Sequence, residues 1–250
     1  MISMTLKLPT DRFNHAENLK TKQQRMTAIL NRLNKVFNPW HLSNEDPFLL
    51  LVRTVLSQNT NDRNSFAAFS KLTSKFKTPE QLAKAKLKEI EELIKIGGLY
   101  QEKAKRLKEI SRQILKKYAG DINPVLEKPV EEARQELLSL PGVGPKTADI
   151  LLAFGAGCDI LPVDTHVFRV SKRLGFAGDK DGYEKVKMKL ELVTPPRRRI
   201  EAHMLLIQLG RKFCRARNPI HGKCPINQLC PVGTHYVVPS PPSRRHAHPR

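Results

Sequence analysis

Apolar residues recur at spacings of three and four almost everywhere along this chain, and strand-like alternation is nearly absent. That periodicity points to an all-α fold, in which the stripe on each helix is covered by the stripe on another. Met26, Ile29, Leu30, Leu33, Val36 and Phe37 mark one face of an N-terminal helix. Asp46-Pro47 supplies a cap and a first-turn proline for the next, and its dense apolar run to Leu56 predicts a central helix buried on most sides. Phe66, Phe69 and Leu72 continue the pattern, and Thr78-Pro79-Glu80-Gln81 reads as N-cap, first-turn proline and capping-box glutamine. Leu87, Ile90, Leu93 and Ile94 form a further stripe stopped by Gly97-Gly98. Leu107, Ile110, Ile114 and Leu115 then define a basic amphipathic helix ending near Gly120. A helix is predicted from 129 to about 140, a turn at Pro141-Gly142-Val143-Gly144, and a second helix from 145 to about 154. Asp164 caps another helix from 165 to about 174, and a last long one spans roughly 197–214.

At 250 residues and 40% hydrophobic content the chain can bury a sizeable core, as one large domain or two small ones. Its 44 Lys and Arg against 24 Asp and Glu leave a formal charge of +20, which points to a polyanionic partner such as nucleic acid or an acidic membrane surface. The longest apolar stretch, 48–52 extended to Leu56, is far short of the roughly 20 residues a membrane span needs, and Arg53 interrupts it. No secretory signal is legible, and four cysteines do not suggest a disulfide framework, so a reducing, intracellular compartment, cytoplasm or nucleoid, is expected. The segment beyond Val238, rich in Pro, Arg and His, is expected to be disordered.

Gly142 and Gly144 leave no side chain between the turn amides and an approaching ligand, and the next helix adds the unsatisfied N–H groups of its first turn, Thr147 included. A DNA phosphate is the natural ligand, read without regard to sequence, although Pro and Gly also make plain helix–helix turns. Lys146 falls in that first turn, where the helix dipole disfavours a cation and favours a neutral, nucleophilic amine. Asp164, eighteen residues on, is the carboxylate available to assist proton transfer and stabilise developing positive charge; alone it also reads as an ordinary N-cap.

Leu140-Pro141-Gly142-Val143-Gly144-Pro145-Lys146-Thr147-Ala148, followed by Val163-Asp164-Thr165-His166-Val167-Phe168-Arg169-Val170, resembles the endonuclease III branch of the helix-hairpin-helix (HhH-GPD) DNA glycosylases. The resemblance continues through Val55-Leu56-Ser57-Gln58-Asn59-Thr60-Asn61-Asp62 and Ile96-Gly97-Gly98-Leu99-Tyr100, and covers roughly residues 30–235. It implies a two-lobed fold. A six-helix barrel lobe would occupy 40–157, with the helix-hairpin-helix at 129–156. A second helical lobe would come from 14–39 and 158–235, carrying a Cys/His loop at 214–230, and 236–250 would be a disordered tail. The active site is expected between the lobes. By the same resemblance Lys146 attacks the sugar C1′, and Asp164 activates it and stabilises the oxocarbenium-like transition state. A base is flipped out of the duplex and a polar side chain fills its place, with Gln58 and Asn59 as the two candidates. Asn59 is favoured as the filler and Gln58 as a contact to the orphaned base.

Cys214, Cys224 and Cys230 lie close together in a proline-containing segment. The endonuclease III family carries Cys-x6-Cys-x2-Cys-x5-Cys around a [4Fe–4S] cluster, and His221 restores that spacing here as Cys214-x6-His221-x2-Cys224-x5-Cys230. A cluster with one His ligand, a structural Cys3His zinc site and a lost site with no metal all remain open. The segment is expected to be structural for DNA binding, with Arg215, Arg217 and Lys223 near phosphates. Cys158 is expected to be a small core residue.

The resemblance therefore implies a bifunctional base excision repair enzyme, both DNA glycosylase and abasic-site (AP) lyase. It would remove oxidised or ring-saturated pyrimidines and cleave abasic sites by β-elimination through a lysine Schiff base. The partner would be double-stranded DNA with damaged bases or abasic sites, and the protein a monomer. The alternatives are the same fold acting on uracil, mismatched thymine or oxidised guanine, and a non-catalytic hairpin module that only binds DNA.

Overall fold

A computed structural model describes residues 17–37 and 45–234, so the expectations for 14–16, 38–44 and the tail from 236 lie outside the described residues. Asn18 accepts from the Thr21 N–H to start α1 (Leu19–Val36), which buries Met26, Ile29, Leu30 and Leu33 along the expected stripe. α2 (Pro47–Ser57) starts where Asp46 accepts from the Leu49 N–H, and it buries Phe48, Leu50, Leu51, Val52, Val55 and Leu56. α3 (Asp62–Thr73) buries Ala68 and Leu72 but leaves Phe66 70% exposed. At 3.6 residues per turn, position 66 lies about 120° around the helix from Leu72, off the covered face. The expected stripe through Phe66 is therefore corrected to one centred on Ala68 and Leu72.

The capping box forms as expected at α4 (Pro79–Lys84), with Thr78 accepting from the Gln81 N–H and Gln81 accepting from the Thr78 N–H. α5 (Leu87–Ile94) runs into a tight 3-10 turn at Lys95–Gly97, after which Gly98 and Leu99 both take positive φ. α6 (Tyr100–Tyr118) then runs as a long amphipathic helix and stops where Ala119 and Gly120 turn left-handed. A one-turn α7 (Asn123–Leu126), with no counterpart in the periodicity reading, leads to α8 (Val130–Leu138) and α9 (Pro145–Ile150).

α9 does not end as an ordinary helix. It widens into a π-turn over Leu151–Gly155, closed by the Ala156 N–H on the Leu151 carbonyl at 3.1 Å. Gly155 lies there against Leu126, Leu50 and Pro47, and a Cβ on it would stand 3.3 Å from the Leu126 Cδ1.

α10 (Thr165–Arg173) follows its Asp164 cap, and α11 (Tyr183–Val193) follows Gly182. The periodicity reading misses α11. Only Val186, Leu190 and Val193 of it are buried, Met188 and Leu192 are exposed, and no side chain caps its start. α12 (Arg199–Lys212) and a terminal turn α13 (Pro231–Thr234) complete the helices; no strand occurs among the described residues. No helix among them is long and apolar enough to cross a membrane.

The chain divides into two units. One, within Trp40–Pro162 and Pro196–Ile200, holds α2 to α9. In it α6 packs on α4, α5 and α2, α3 packs on α2 and α5, and α9 with its π-turn packs on α2 and α8. The other, within Met1–Pro39, Val163–Pro195 and Glu201–Arg250, holds α1, α10, α11, α13 and most of α12. In it α11 packs on α1 and α10. Arg25 of α1 pins that unit internally, bonding Glu17 and the Leu174 and Leu229 carbonyls while its guanidinium stacks 4.3 Å from the Phe176 ring centre.

Candidate active site and metal centre

Leu140 and Val143 are buried and anchor the hairpin between α8 and α9, the Val143 N–H closing on the Leu140 carbonyl at 3.1 Å. Gly142 sits at φ +77°, which favours glycine, and a Cβ there would stand 2.5 Å from the Arg106 Cδ, so that side chain would have to shift. Gly144 needs no glycine conformation. As N-cap of α9 it has φ −94° and ψ 177°, open to any residue, and no atom lies within 4 Å of where a Cβ would be. What it offers is bare backbone at a helix start, where the Lys146 and Thr147 N–H groups have no acceptor within the helix. Lys146 is half-buried in that first turn. Thr147 is buried beside it, 3% exposed. Behind the hairpin, Arg134 Nε of α8 bonds Asp149 Oδ1 of α9 at 2.7 Å, and both side chains are buried.

In the other unit, Asp164 holds α10 at its start: Oδ1 accepts from the Val167 N–H at 2.7 Å while the residue stays half-buried. The capping bond fixes the carboxylate at the beginning of the helix that also carries Arg169 and Arg173.

At the end of α2 the two amides separate. Gln58 is half-buried, and its Oε1 accepts from Arg106 Nη1 at 2.5 Å; Asn59 is exposed at φ +51°, a left-handed conformation that only Gly, Asn and Asp adopt readily. Beneath them lies Lys103 of α6, 3% exposed, with Nζ donating to the Leu56 carbonyl at 2.8 Å, the Gly97 carbonyl at 3.0 Å and the Thr60 hydroxyl. Burial, and secondarily the nearby Arg106 charge, pull the Lys103 ammonium below the usual lysine range. Lys103 and Arg106 escaped the sequence reading, which took this helix only as basic and amphipathic. A signal existed: Lys103 stands on the stripe of Ala104, Leu107, Ile110 and Ile114, where an apolar residue is expected.

Cys214, His221, Cys224 and Cys230 line one cavity with Arg173 and Phe213. Arg173 Nη1 donates to Cys214 Sγ at 3.3 Å and also to the Arg215 carbonyl, so α10 grips the start of the segment. Burial pushes the Cys224 thiol up to about 11, against a bond from Ile226, and its neighbours Cys230 and Cys214 add to the rise. Cys230 is raised by burial too. Burial, then the Arg173 charge, lower His221 toward the neutral imidazole. Among the described residues, no three of His, Cys, Asp and Glu gather as a single metal ion would gather them. The three thiols, open on one cavity, nevertheless fit a cationic iron core, since bound metal deprotonates thiols that resist ionising alone. Arg215, Arg217 and Lys223 are exposed beside it. Cys158 is half-buried against the core of the other unit, which accords with a small core residue.

The model of the HhH-GPD superfamily of base excision DNA repair proteins matches residues 52–196, and that of the iron-sulfur binding domain of endonuclease III matches residues 214–230. Endonuclease III of Thermotoga maritima is 40% identical over 185 residues, 74% of this chain and 83% of that protein. Endonuclease III of Escherichia coli is 36% identical over 204 residues, 81% of this chain and 92% of that protein. Among solved structures, a trapped endonuclease III–DNA covalent intermediate is similar with a TM-score of 0.75 at 34% identity, covering 85% of this chain and 97% of that one. A thermostable thymine-DNA glycosylase, 24% identical, shares the fold with a TM-score of 0.74, over 87% of this chain and 99% of its own.

Proposed function

The chain belongs to the endonuclease III family of HhH-GPD base excision DNA repair proteins, and on that footing we propose that Lys146 and Asp164 carry its chemistry. It is a DNA glycosylase with AP lyase activity acting on double-stranded DNA. The observation that carries the assignment of residues is a lysine in the first turn after a hairpin whose Gly142 holds a left-handed turn that a side chain would strain. Phosphate binding needs the hairpin amides; it does not need an amine nucleophile.

The Lys146 Nζ, in its neutral form, attacks C1′ as the bond from C1′ to the base breaks, and the base leaves with the bonding pair and takes up a proton. Asp164 accepts the proton that Nζ sheds and faces the positive charge that develops on the sugar. Ring opening leaves an imine between Nζ and C1′. Loss of a C2′ proton then expels the 3′ phosphate by β-elimination. The Gly144, Lys146 and Thr147 N–H groups hold a backbone phosphate. Asn59, exposed on a left-handed apex, fills the space of the extruded base, and Gln58, held by Arg106, meets the orphaned partner. Oxidised or ring-saturated pyrimidines are the substrates, and the enzyme works inside the cell, where that DNA is.

Cys214, Cys224 and Cys230 hold the iron–sulfur cluster, with His221 as the fourth ligand; the spacing and the shared cavity support this set. Once bound, the cluster supplies a cross-link of the 214–230 segment, which presents Arg215, Arg217 and Lys223 to phosphate.

The test is borohydride trapping and nicking on duplexes bearing a 5,6-saturated thymine or an abasic site. Wild type yields a covalent adduct with both. Persistence of that adduct in Lys146→Ala overturns the assignment, and trapping on the abasic duplex alone overturns the substrate class.

A further inference from the structure

Lys103 is a buried cation whose partners are two carbonyls and a hydroxyl, with no carboxylate among them. Its three N–H donors match three acceptors, so the ammonium is satisfied but not neutralised. An apolar residue would fill the same stripe on α6 without the cost of desolvating a charge. What an apolar residue would not do is join the segments that Lys103 joins. The Leu56 carbonyl belongs to the last turn of α2, and the Gly97 carbonyl ends the 3-10 turn after α5; a cation suits both, since carbonyls there lack helical partners. Thr60 completes the tie, its single hydroxyl proton within reach of both the Gln58 and the Gly97 carbonyls. Just beyond each anchor stands a non-glycine residue in left-handed conformation, Asn59 at φ +51° and Leu99 at φ +47°, both exposed. Strain of this kind persists where the surroundings over-determine the backbone, and Lys103 is what the two loops share. One turn further along α6, Arg106 fixes the Gln58 amide and lies against Gly142, which extends the brace to the hairpin.

We propose that Lys103 is a positioning residue for base extrusion: its ammonium locks the 56–60 loop to the 97–99 loop, so that Asn59 is preordered before DNA arrives. The proposal rests on the reading of Asn59 as the filler of the vacated space. Extrusion of a paired base costs unstacking and unpairing, least for a base already mispaired or missing, and a loop ordered beforehand adds no ordering entropy to that cost. Lys103 therefore matters most where extrusion is hardest.

The experiment compares wild type, Lys103→Met and Thr60→Val, each cluster-loaded and checked for native helix content by circular dichroism. Single-turnover rates are measured for a 5,6-saturated thymine paired with adenine, the same lesion opposite an abasic analogue, and a preformed abasic site. With Lys103→Met, base removal opposite adenine falls about 10- to 100-fold, as expected for loss of charge-assisted bonds. Cleavage at the abasic site falls less than about threefold, and the lesion opposite the abasic analogue recovers most of the loss. Thr60→Val, which keeps the shape and removes one acceptor, shows the same ordering at smaller amplitude. Equal losses on all three substrates in both variants, or no loss on any, overturn the proposal. Asn59→Ala is measured in parallel: if it removes the paired lesion at the wild-type rate, the filler reading fails, whatever Lys103 does.

Discussion

Replacing Arg134 by alanine leaves the Asp149 carboxylate without its guanidinium partner inside the hairpin unit. The Asp149 side chain is fully buried and that of Arg134 is 10% exposed, with Nε 2.7 Å from Oδ1, so solvent screens little of the interaction. Removing one member of such a pair costs about 3–5 kcal/mol, mainly the penalty of an uncompensated buried charge. At about 2–4 °C per kcal/mol for a chain of this size, the midpoint of thermal unfolding falls by roughly 6–20 °C. Arg134→Met combined with Asp149→Leu removes both charges and restores more than half of the loss, because desolvation and attraction disappear together. Urea and thermal unfolding of the cluster-loaded protein, followed by helical circular dichroism, give both values. A single variant within about 1 kcal/mol of wild type refutes the buried-charge account, as does a double variant no better than the single.

Two further outcomes are expected. Burial pushes the Asp181 carboxyl up, but bonds from Lys189, the Gly178 N–H and Lys185 outweigh it and hold it at about 2, below its ordinary 3.8. Its stabilisation, about 2 kcal/mol, is present above pH 4 and is lost as pH falls toward 2. The stability gap between wild type and Asp181→Asn therefore narrows by that amount from pH 5 to pH 2, and a gap independent of pH contradicts the account. His221→Ala lowers the iron-to-protein ratio and changes the visible spectrum of the loaded protein, whereas His221→Cys keeps the iron and alters the spectrum. A spectrum unchanged in both variants removes His221 from the ligand set.

Legibility in the sequence follows the range of the interaction. Caps act over three residues, so Asp46, Thr78 with Gln81, and Asp164 announce their helices by residue type alone, and each makes its expected bond. The hairpin and the Cys/His spacing are legible for the same reason, being short and contiguous. Phe66 was misplaced because apolar character does not reveal which side of a helix the neighbours cover. α11 escaped because its buried positions are few and its exposed ones include Met188 and Leu192, which blurs the stripe. Lys103 and Arg106 depend on partners more than forty residues away in sequence, Leu56 and Gln58, and no local pattern encodes that pairing.

The π-turn at Leu151–Gly155 gives the helix that displays Lys146 two independent phases. An α-helix advances each residue by about 100°, so its two ends are locked to one another; one extra residue in a single turn breaks that lock. Upstream, Thr147, Ala148 and Asp149 are set into the unit's core, while downstream Gly155 is seated on Leu50 and Leu126. Deleting one residue from the wide turn would restore a regular helix and rotate one end by about 100° against the other. Either Asp149 would swing away from Arg134 with Lys146 following it, or Gly155 would leave its seat. The spare residue lets the nucleophile be aimed and the core be filled as separate problems on one helix.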